Sequence, residues 1–207
     1  MLLVGVTGSI GMGKSTVAQM FKEHGYGVYN ADDTVHYIYE KDKEVIAKVE
    51  AKFPGSTKDG AVNRMALRDI LNKDPKKFRD LEQIVHPVTR NYQIMYINKL
   101  IEEGKTGCVL DIPLLFETGG EKYVDVSVVV TASEETQRSR VVSERKVPLE
   151  IFNAIKGQQM PDREKLKKAD YIISTDNEIE KTKSEVREVA TKIKLINPKA
   201  WNTFFKQ

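Results

Sequence analysis

A glycine-rich segment near the start of the chain has the residue types and the spacing of a phosphate-binding loop. It follows an apolar run, precedes a stretch with helical periodicity, and reads Gly8-Ser9-Ile10-Gly11-Met12-Gly13-Lys14-Ser15. Glycines allow positive φ and let successive N–H groups approach phosphate oxygens, and the N-terminus of a helix adds partial positive charge. The lysine supplies a point charge for the β- and γ-phosphates, and the serine hydroxyl suits Mg²⁺. The alternative is a strand-to-helix turn that binds nothing, and the complete motif in this context argues against it.

The other polar motifs favour phosphoryl transfer to an acceptor over nucleotide hydrolysis. The sequence contains neither the guanine-reading NKxD motif nor a DxxG switch motif. Asp32 follows the second predicted strand, where a carboxylate could accept or orient the proton of an acceptor hydroxyl. We therefore predict that Asp32 is catalytic and that Asp33 caps the following helix, although capping is an alternative for both.

Arginines are concentrated in one polar stretch after the fourth predicted strand. Arg138 to Lys168 contains nine basic and four acidic residues, and guanidinium groups suit a migrating phosphoryl group because they hold charge on several oxygens. We predict that residues 133–165 form a lid in which Arg140 is catalytic and Arg145 binds ATP. A solvated helical face is the alternative.

Asp111 ends the third predicted strand and precedes Ile112-Pro113. Its carboxylate could orient the water shell of a metal ion, but an aspartate before a proline is also common in turns. We predict that Ser15 binds Mg²⁺ directly and that Asp111 reaches it through water. The residues predicted to bind ATP are Gly8, Ser9, Ile10, Gly11, Met12, Gly13, Lys14, Ser15, Thr16 and Arg145, and those predicted to be catalytic are Lys14, Asp32 and Arg140.

The elements that must position these residues alternate between strands and helices along the chain. We predict strands at residues 1–7, 27–30, 107–111, 124–131 and 171–173, from their apolar and β-branched content. This alternation predicts an α/β fold, a five-stranded parallel sheet flanked by helices, with ligands at the carboxyl ends of the strands. Residues 34–104 have helical spacing and predict a substrate-binding insertion within a single domain, 1–207. Residues 197–207, with Trp201, predict a small docked helix.

Composition limits the class of protein. The 207 residues are 40% hydrophobic with a formal net charge of +3, which suits one filled core and not a dedicated nucleic-acid binder. One cysteine, Cys108, permits no intrachain disulfide, and no apolar run reaches membrane-spanning length. We therefore expect a cytoplasmic monomer or small homo-oligomer that binds neither nucleic acid nor membrane.

Taken together in order, the motifs resemble those of the dephospho-CoA kinase family across most of the chain. The resemblance rests on the phosphate loop and on Asn30 to Asp32, Gly60 to Arg64 with Leu67, His86-Pro87, Pro113 to Glu117, Gln137 with Arg140, Gln159, and Ala169-Asp170. It implies a P-loop kinase that transfers the ATP γ-phosphoryl group to the ribose 3′-hydroxyl of dephospho-CoA. It also implies that Asp32 is the catalytic carboxylate, and that the insertion and the Pro113–Glu117 segment shape the acceptor pocket.

The residues that the resemblance assigns to acceptor binding are Arg64, His86, Leu114, Leu115 and Glu117. A histidine before a proline is also typical of a residue that closes a helix, so both interpretations of His86 stay open. Two other functions also stay open: a P-loop kinase of another nucleotide, nucleoside or small metabolite, and a nucleotide-binding regulator that has lost transfer.

The chain departs from the family pattern at four positions. Asn30 stands where the family tends to carry Asp, His36 where it tends to carry Arg, Glu144 where a second lid arginine is common, and Thr175 where an Asn is expected near the adenine. These departures affect the lid, the adenine contacts and the acceptor side, and they leave the phosphate loop intact.

Overall fold

The computed structural model describes residues 1–205, which form two compact units. One unit combines Met1–Tyr29 with the chain from Ile97 onward, and the other is Asn30–Tyr96. The strands are β1 (Leu2–Thr7), β2 (Tyr26–Asn30), β3 (Thr57–Lys58), β4 (Ala61–Val62), β5 (Gly107–Asp111), β6 (Val126–Thr131) and β7 (Tyr171–Ser174). The α-helices are α1 (Lys14–Met20), α2 (Ala31–Lys41), α3 (Lys43–Lys52), α4 (Arg64–Lys73), α5 (Phe78–Glu102), α6 (Glu134–Arg138), α7 (Leu149–Gln158), α8 (Asp162–Lys168), α9 (Ile179–Ile193) and α10 (Ala200–Phe204).

The first unit is built on a five-stranded sheet in the order β2-β5-β1-β6-β7. Strand β1 pairs in parallel with β5 on one side and with β6 on the other, and β6 pairs in parallel with β7. After β1 the chain forms the edge strand β2 and then β5, which lies between β2 and β1, before it crosses to the other side of β1 and adds β6 and β7. The point where the strand order reverses is where parallel sheets bind ligands. The predicted α/β architecture is confirmed, and the glycine loop lies directly after β1.

Successive side chains of β6 belong to two different apolar clusters, one on each face of the sheet. Val128 and Val130 belong to a buried cluster that includes Val17 of α1 and Val186 of α9. Val129 instead belongs to a cluster on the opposite face with Leu115 and with residues near α8. Because successive side chains of a strand point to opposite faces, a continuous β-branched run is what a strand buried on both sides requires.

The second unit is mainly helical, and its core is formed by apolar residues at helical spacing. Ile38, Val49 and Phe53 have no exposed surface, and they pack with Leu67 and Leu71 of α4. Burial of each such side chain contributes about 1.5–3 kcal/mol through removal of apolar surface from water. The helical content predicted between residues 34 and 104 is present, and the assignment of this region to acceptor binding stays a prediction.

Helix α2 begins differently from the prediction. The side chain of Asn30 accepts hydrogen bonds from the N–H groups of Asp32 and Asp33, at 2.9 and 3.4 Å. Asn30 is therefore the N-cap, and the prediction that Asp33 caps this helix is wrong. The two aspartates lie in the first turn, where their negative charge still interacts favourably with the helix dipole.

A short hairpin interrupts the predicted helical insertion. Strands β3 and β4 pair antiparallel around Asp59-Gly60, whose φ angles are 53° and 79°. An Asp-Gly pair between two short strands is a strong hairpin signal because both central residues need positive φ. The sequence interpretation missed this hairpin, although the dipeptide could have revealed it.

Helix α5 runs without a break through Pro87. The proline removes one backbone donor from the helix interior, and the hydroxyl of Thr89 donates to the carbonyls of Val85 and His86 at 3.1 and 3.0 Å. The alternative that His86 closes a helix is therefore wrong, and its exposed side chain lies in mid-helix.

The carboxylate of Asp125 attaches the last helix to the sheet. Its two oxygens accept from the N–H groups of Leu3, Lys199 and Ala200 at 2.8, 2.6 and 2.8 Å. Trp201 is buried in α10, so the docked terminal helix predicted from the aromatic residues is confirmed for the described part. The end of that prediction, residues 206 and 207, lies outside the described residues. None of the helices within residues 1–205 is both long and apolar enough to cross a membrane.

Candidate active site

The loop between β1 and α1 has the backbone geometry of a phosphate-binding turn. Gly11 and Gly13 have φ angles of 81° and 82°, in the left-handed region that glycine adopts without strain. The Met12 N–H donates to the carbonyl of Ser9 at 3.2 Å, and Gly13 forms the N-cap of α1. Alternation of right- and left-handed residues before a helix produces the concave set of N–H groups that binds anions.

Gly8 fixes the approach of this loop to the sheet. A Cβ atom at this position would lie 2.5 Å from the carbonyl oxygen of Val130 on β6. No ordinary side chain fits at that distance from a backbone oxygen, so the loop can leave β1 along this path only with glycine here.

Two glutamine side chains bind the backbone of Ile10, one at its N–H group and the other at its carbonyl. The Ile10 N–H donates to Oε1 of Gln159 at 2.9 Å, and Nε2 of Gln137 donates to the Ile10 carbonyl at 2.7 Å. Gln137 has no exposed surface. Both residues come from the region predicted as a lid, so this region fixes the shape of the phosphate loop.

Arg140 is held at the end of β7. Its guanidinium donates to the hydroxyl and to the carbonyl of Thr175, at 2.8 and 2.6 Å, and lies 3.5 Å from the carbonyl of Gly11. The Thr175 hydroxyl in turn donates to the Met12 carbonyl at 2.9 Å. Thr175, one of the departures from the family pattern, is therefore buried and links Arg140 to the loop. Arg140 itself lies in a π-helical segment, Ser139–Glu144, that follows α6.

Asp111 is the third component brought to the loop. Its buried carboxylate forms an ion pair with the ammonium of Lys14 and accepts a hydrogen bond from the Ser15 hydroxyl at 3.0 Å. The end of β5 and the start of α1 are thus joined through the two residues predicted to contact phosphate and metal. The alternative in which Asp111 is only a turn residue does not account for these contacts.

The oxygen ligands at this position fit Mg²⁺. A serine hydroxyl and a carboxylate are hard donors, and Mg²⁺ typically binds one or two protein oxygens together with water and substrate phosphates. Among residues 1–205 no cluster of three or more His, Cys, Asp or Glu side chains could hold a metal without such help. Ser15 and Asp111 would therefore supply the protein's share of the oxygen ligands to a magnesium ion bound with the nucleotide phosphates.

Two clefts open beside the loop in this unit. The smaller, about 280 Å³, is lined by Gly13, Thr16, Val17, Arg140, Glu144, Arg145, Thr175, Ile179 and Thr182. It brings together Thr16, Arg140 and Arg145, all of which the sequence assigns to ATP binding or catalysis. Glu144, the departure from the family's second lid arginine, lies at the same cleft beside Arg145.

The larger cleft, about 500 Å³, contains the polar side chains of Gln137, Gln159 and Asp162 together with Ser9 and Met12 of the loop. Oε1 of Gln137 and Oδ1 of Asp162 are buried and lack a hydrogen-bond partner within the described chain. Buried acceptors of this kind are satisfied by water or by a bound donor group.

The Pro113–Glu117 segment divides into exposed and buried residues. Leu114 is 40% exposed, whereas Leu115 has no exposed surface and packs against Phe116 and Val129. Leu115 therefore supports the segment from the core, and its predicted contact with an acceptor stays a prediction. Glu117 pairs with the buried Lys165 at 2.9 Å. Burial alone would raise the pKa of Glu117, but hydrogen bonds from Lys165 and Met160 outweigh it and lower the pKa.

The other predicted site residues belong to the second unit. Asp32, Arg64 and His86 are all exposed. The guanidinium of Arg64 contacts the ring of His36, which stands where the family tends to carry arginine, and Arg64 also lines a cleft of about 400 Å³ with Phe78. The acceptor-binding and catalytic roles of these residues stay predictions.

Sequence reasoning missed Thr7 and Lys165. The Thr7 hydroxyl donates to the Pro113 carbonyl at 3.1 Å, and Nζ of Lys165 lies 3.3 Å from the same oxygen. Lys165 is one of several lysines in a basic stretch, and nothing in that stretch distinguishes it from its exposed neighbours. The phosphate motif was sufficient to locate the loop in the sequence. It contains no information on the residues that support the loop, such as Thr7 and Lys165.

A family model described as dephospho-CoA kinase matches residues 2–181. The chain belongs to the dephospho-CoA kinase family. A dephospho-CoA kinase from Rhodopseudomonas palustris is 46% identical over 189 residues, which cover 91% of this chain and 94% of that protein. One from Agrobacterium fabrum is 43% identical over 193 residues, 93% of this chain and 98% of that protein. The family resemblance inferred from the motifs is thus confirmed, and membership makes the chain an ATP-dependent kinase.

Solved structures agree with this family assignment. A protein from Thermus thermophilus matches with a TM-score of 0.80 and 30% identity, covering 93% of this chain and 97% of that one. A dephospho-CoA kinase from Campylobacter jejuni matches with a TM-score of 0.67 and 28% identity, covering 93% and 96%. The fold of this dephospho-CoA kinase family member is therefore shared with these structures over nearly the whole chain.

Proposed function

We propose that this chain transfers the γ-phosphoryl group of ATP to the ribose 3′-hydroxyl of dephospho-CoA and so completes coenzyme A. The observation that carries the proposal is the set of contacts joining Asp111 to Lys14 and Ser15 at the phosphate loop. The family match over residues 2–181 supports this acceptor.

On the nucleotide side, the phosphates of ATP bind the loop from Gly8 to Thr16. The cleft of about 280 Å³, whose lining includes Gly13, Thr16 and Arg145, takes the rest of the nucleotide. Lys14 exchanges its partner Asp111 for the β- and γ-phosphates, because a phosphate carries more negative charge than one carboxylate.

Ser15, and Asp111 through water, would hold Mg²⁺ at the phosphates. When bound, this ion neutralises charge on the β- and γ-phosphate oxygens. The contribution of the chain itself is to hold the hydroxyl of Ser15, an exposed residue, 3.0 Å from the buried Asp111 carboxylate.

Arg140 stabilises the charge on the transferred group. Its fork of donors can hold several oxygens at once, and Thr175 fixes the guanidinium with bonds at 2.8 and 2.6 Å before any substrate arrives. A group fixed in advance loses less side-chain entropy when the phosphates bind.

On the acceptor side, Asp32 receives the proton of the 3′-hydroxyl as the phosphoryl group is transferred. The helical unit Asn30–Tyr96 binds dephospho-CoA, with Arg64 and His86 as contacts. The family resemblance also assigns Leu114, Leu115 and Glu117 to acceptor binding, and Leu115, which has no exposed surface, would act by supporting the exposed Leu114. Exposure of Asp32, Arg64 and His86 supports the roles proposed for them, because it leaves their polar groups accessible to an acceptor. We further propose that the enzyme acts in the cytoplasm as a monomer or small homo-oligomer.

Incubation with ATP, Mg²⁺ and dephospho-CoA, followed by mass detection of coenzyme A, tests the proposal. We expect coenzyme A to accumulate with wild type and to be lost with Lys14→Ala, because the phosphates lose their point charge. Adenosine and other hydroxyl acceptors serve as competitors in parallel reactions. Phosphorylation of one of these, with none of dephospho-CoA, would contradict the proposed acceptor.

A further inference from the structure

Lys165 is a fully buried cation in a segment whose other lysines are exposed. Its side chain has an exposed fraction of 0%, whereas Lys167 on the same helix α8 is 71% exposed. Removal of an ammonium group from water is costly unless the charge is paired and hydrogen-bonded. Lys165 meets this condition through Oε1 of Glu117 at 2.9 Å and the Pro113 carbonyl at 3.3 Å.

The first partner of Lys165 leads to the phosphate loop. Oε1 of Glu117 also accepts the Met160 N–H at 2.7 Å. Met160 directly follows Gln159, whose Oε1 accepts the Ile10 N–H at 2.9 Å. The ion pair therefore fixes the backbone from which Gln159 reaches the loop.

The second partner leads to the same loop by another route. The Pro113 carbonyl that accepts from Lys165 also accepts from the Thr7 hydroxyl at 3.1 Å, and Thr7 is the last residue of β1 before the loop. Pro113 follows Asp111 by two residues, and Asp111 holds Lys14 and Ser15. The Lys165 ammonium is thus linked to both segments that support the loop: Gln159–Met160 through Glu117, and Asp111–Pro113 through the Pro113 carbonyl.

We propose that Lys165 and Glu117 are positioning residues for phosphoryl transfer, acting together to fix the Gln159–Met160 and Asp111–Pro113 segments against the phosphate loop. This proposal rests on the proposed kinase function. Because Lys165 has no exposed surface, it acts through these segments and contacts neither ATP nor acceptor. It also gives Glu117 a role other than the acceptor contact implied by the family resemblance.

Kinetic constants separate positioning from acceptor binding. We compare wild type with Lys165→Met, Glu117→Gln and the double variant Lys165→Met with Glu117→Leu, and use the exposed Lys167→Met as the matched control on the same helix. A misplaced loop lowers kcat by about 10- to 100-fold. KM for dephospho-CoA should change by less than about threefold, because in this proposal neither Lys165 nor Glu117 contacts the acceptor, whereas KM for ATP should rise because the displaced loop holds the phosphates less well.

The double variant separates positioning from simple stability. A buried ion pair replaced by apolar side chains is often neutral in stability, whereas removal of one partner leaves an unpaired charge. We therefore expect the melting temperature of the double variant to exceed that of Lys165→Met, while kcat stays low. Wild-type kcat in the stable double variant would overturn the proposal.

Amide hydrogen exchange at Ile10 provides a measurement that does not depend on the acceptor. We expect the Ile10 N–H to exchange at least about tenfold faster in Glu117→Gln than in wild type, with global protection retained. This variant changes one oxygen and one charge, so it is the decisive one if the others do not fold. Unchanged exchange and unchanged kcat in Glu117→Gln would overturn the proposal, and a raised KM for dephospho-CoA alone would return Glu117 to acceptor binding.

These measurements also separate this inference from the proposed function. If wild type does not phosphorylate dephospho-CoA, the kinase proposal fails, yet the Ile10 exchange rate still tests the positioning role. If wild type is active and the variants match it in kcat and exchange, only the positioning role fails.

Discussion

The phosphate loop and the start of α2 are fixed in opposite ways. Ile10 is held by Gln137 and Gln159, which lie 127 and 149 positions away in the sequence. The backbone around Asp32 is held by Asn30, two positions away. The phosphate side therefore depends on the whole first unit, whereas the predicted acceptor side depends on local helix caps. It follows that changes near the loop should affect stability together with nucleotide binding, and that substitution of the exposed Asp32 side chain should affect turnover alone.

The largest expected effect is a loss of turnover when Asp32, at the locally capped start of α2, is substituted. Asp32→Asn should lower kcat by about 10² to 10⁴, because the acceptor hydroxyl loses its proton acceptor. ATP affinity and melting temperature should be close to those of wild type, since the side chain is exposed and Asn30 still caps the helix. Asp33→Asn, in the same turn, is the matched control. Equal turnover of the two variants in a coupled ADP-release assay would remove Asp32 from the mechanism.

The next largest effect is expected at the phosphate loop, which is held by residues from distant parts of the first unit. Gly8→Ala places a Cβ atom 2.5 Å from the Val130 carbonyl, so the loop or β6 must shift. Overpacking of this kind costs about 1–3 kcal/mol of unfolding free energy, and ATP binding should weaken in parallel. Gly157→Ala is the control, because nothing lies within 4 Å of a Cβ there. Unchanged ATP affinity in Gly8→Ala, measured by calorimetry, would mean that the loop is not held as tightly as described.

The difference between local contacts and contacts between residues far apart in the sequence also explains how much of the structure could be predicted. The β-branched run of β6 and the glycine motif are local patterns with one physical solution, so the sheet and the loop were predicted correctly. Asn30 and Asp33 both favour cap positions, and only the position at which the strand ends decides between them. The burial of Lys165 could not be predicted, because it depends on Glu117, 48 positions earlier in the chain.

A third prediction concerns the Asn30 cap and has a smaller effect. Asn30→Ala removes the side chain that accepts from Asp32 and Asp33, and should lower the unfolding free energy by about 1 kcal/mol. For a domain of this length that corresponds to roughly 2–4 °C in melting temperature. Asn30→Asp restores both the cap and the residue typical of the family, and should recover the loss. Equal melting temperatures for Ala and Asp at this position would contradict the cap.

The smallest effect should come from Glu50, a locally acting carboxylate of the second unit. Glu50 accepts from the N–H groups of Gly55 and Thr57 at 2.8 and 2.9 Å, and from the Thr57 hydroxyl at 2.7 Å. These bonds, that from Gly55 first, lower the pKa of Glu50 below its usual value. A lowered folded-state pKa means that the ionised carboxylate stabilises the turn above the unfolded-state pKa, and that this contribution is lost as the pH falls through the folded-state pKa.

Amide exchange at Thr57 measures this contribution directly. At neutral pH the Thr57 N–H should exchange faster in Glu50→Gln than in wild type, and the difference should shrink at acid pH, where the wild-type carboxyl is also neutral. The Ile10 N–H, fixed from distant parts of the other unit, should be unaffected by this substitution at any pH. A change at Ile10 would show that the two regions are not held independently, because a bond confined to residues 50–57 would then influence the phosphate loop.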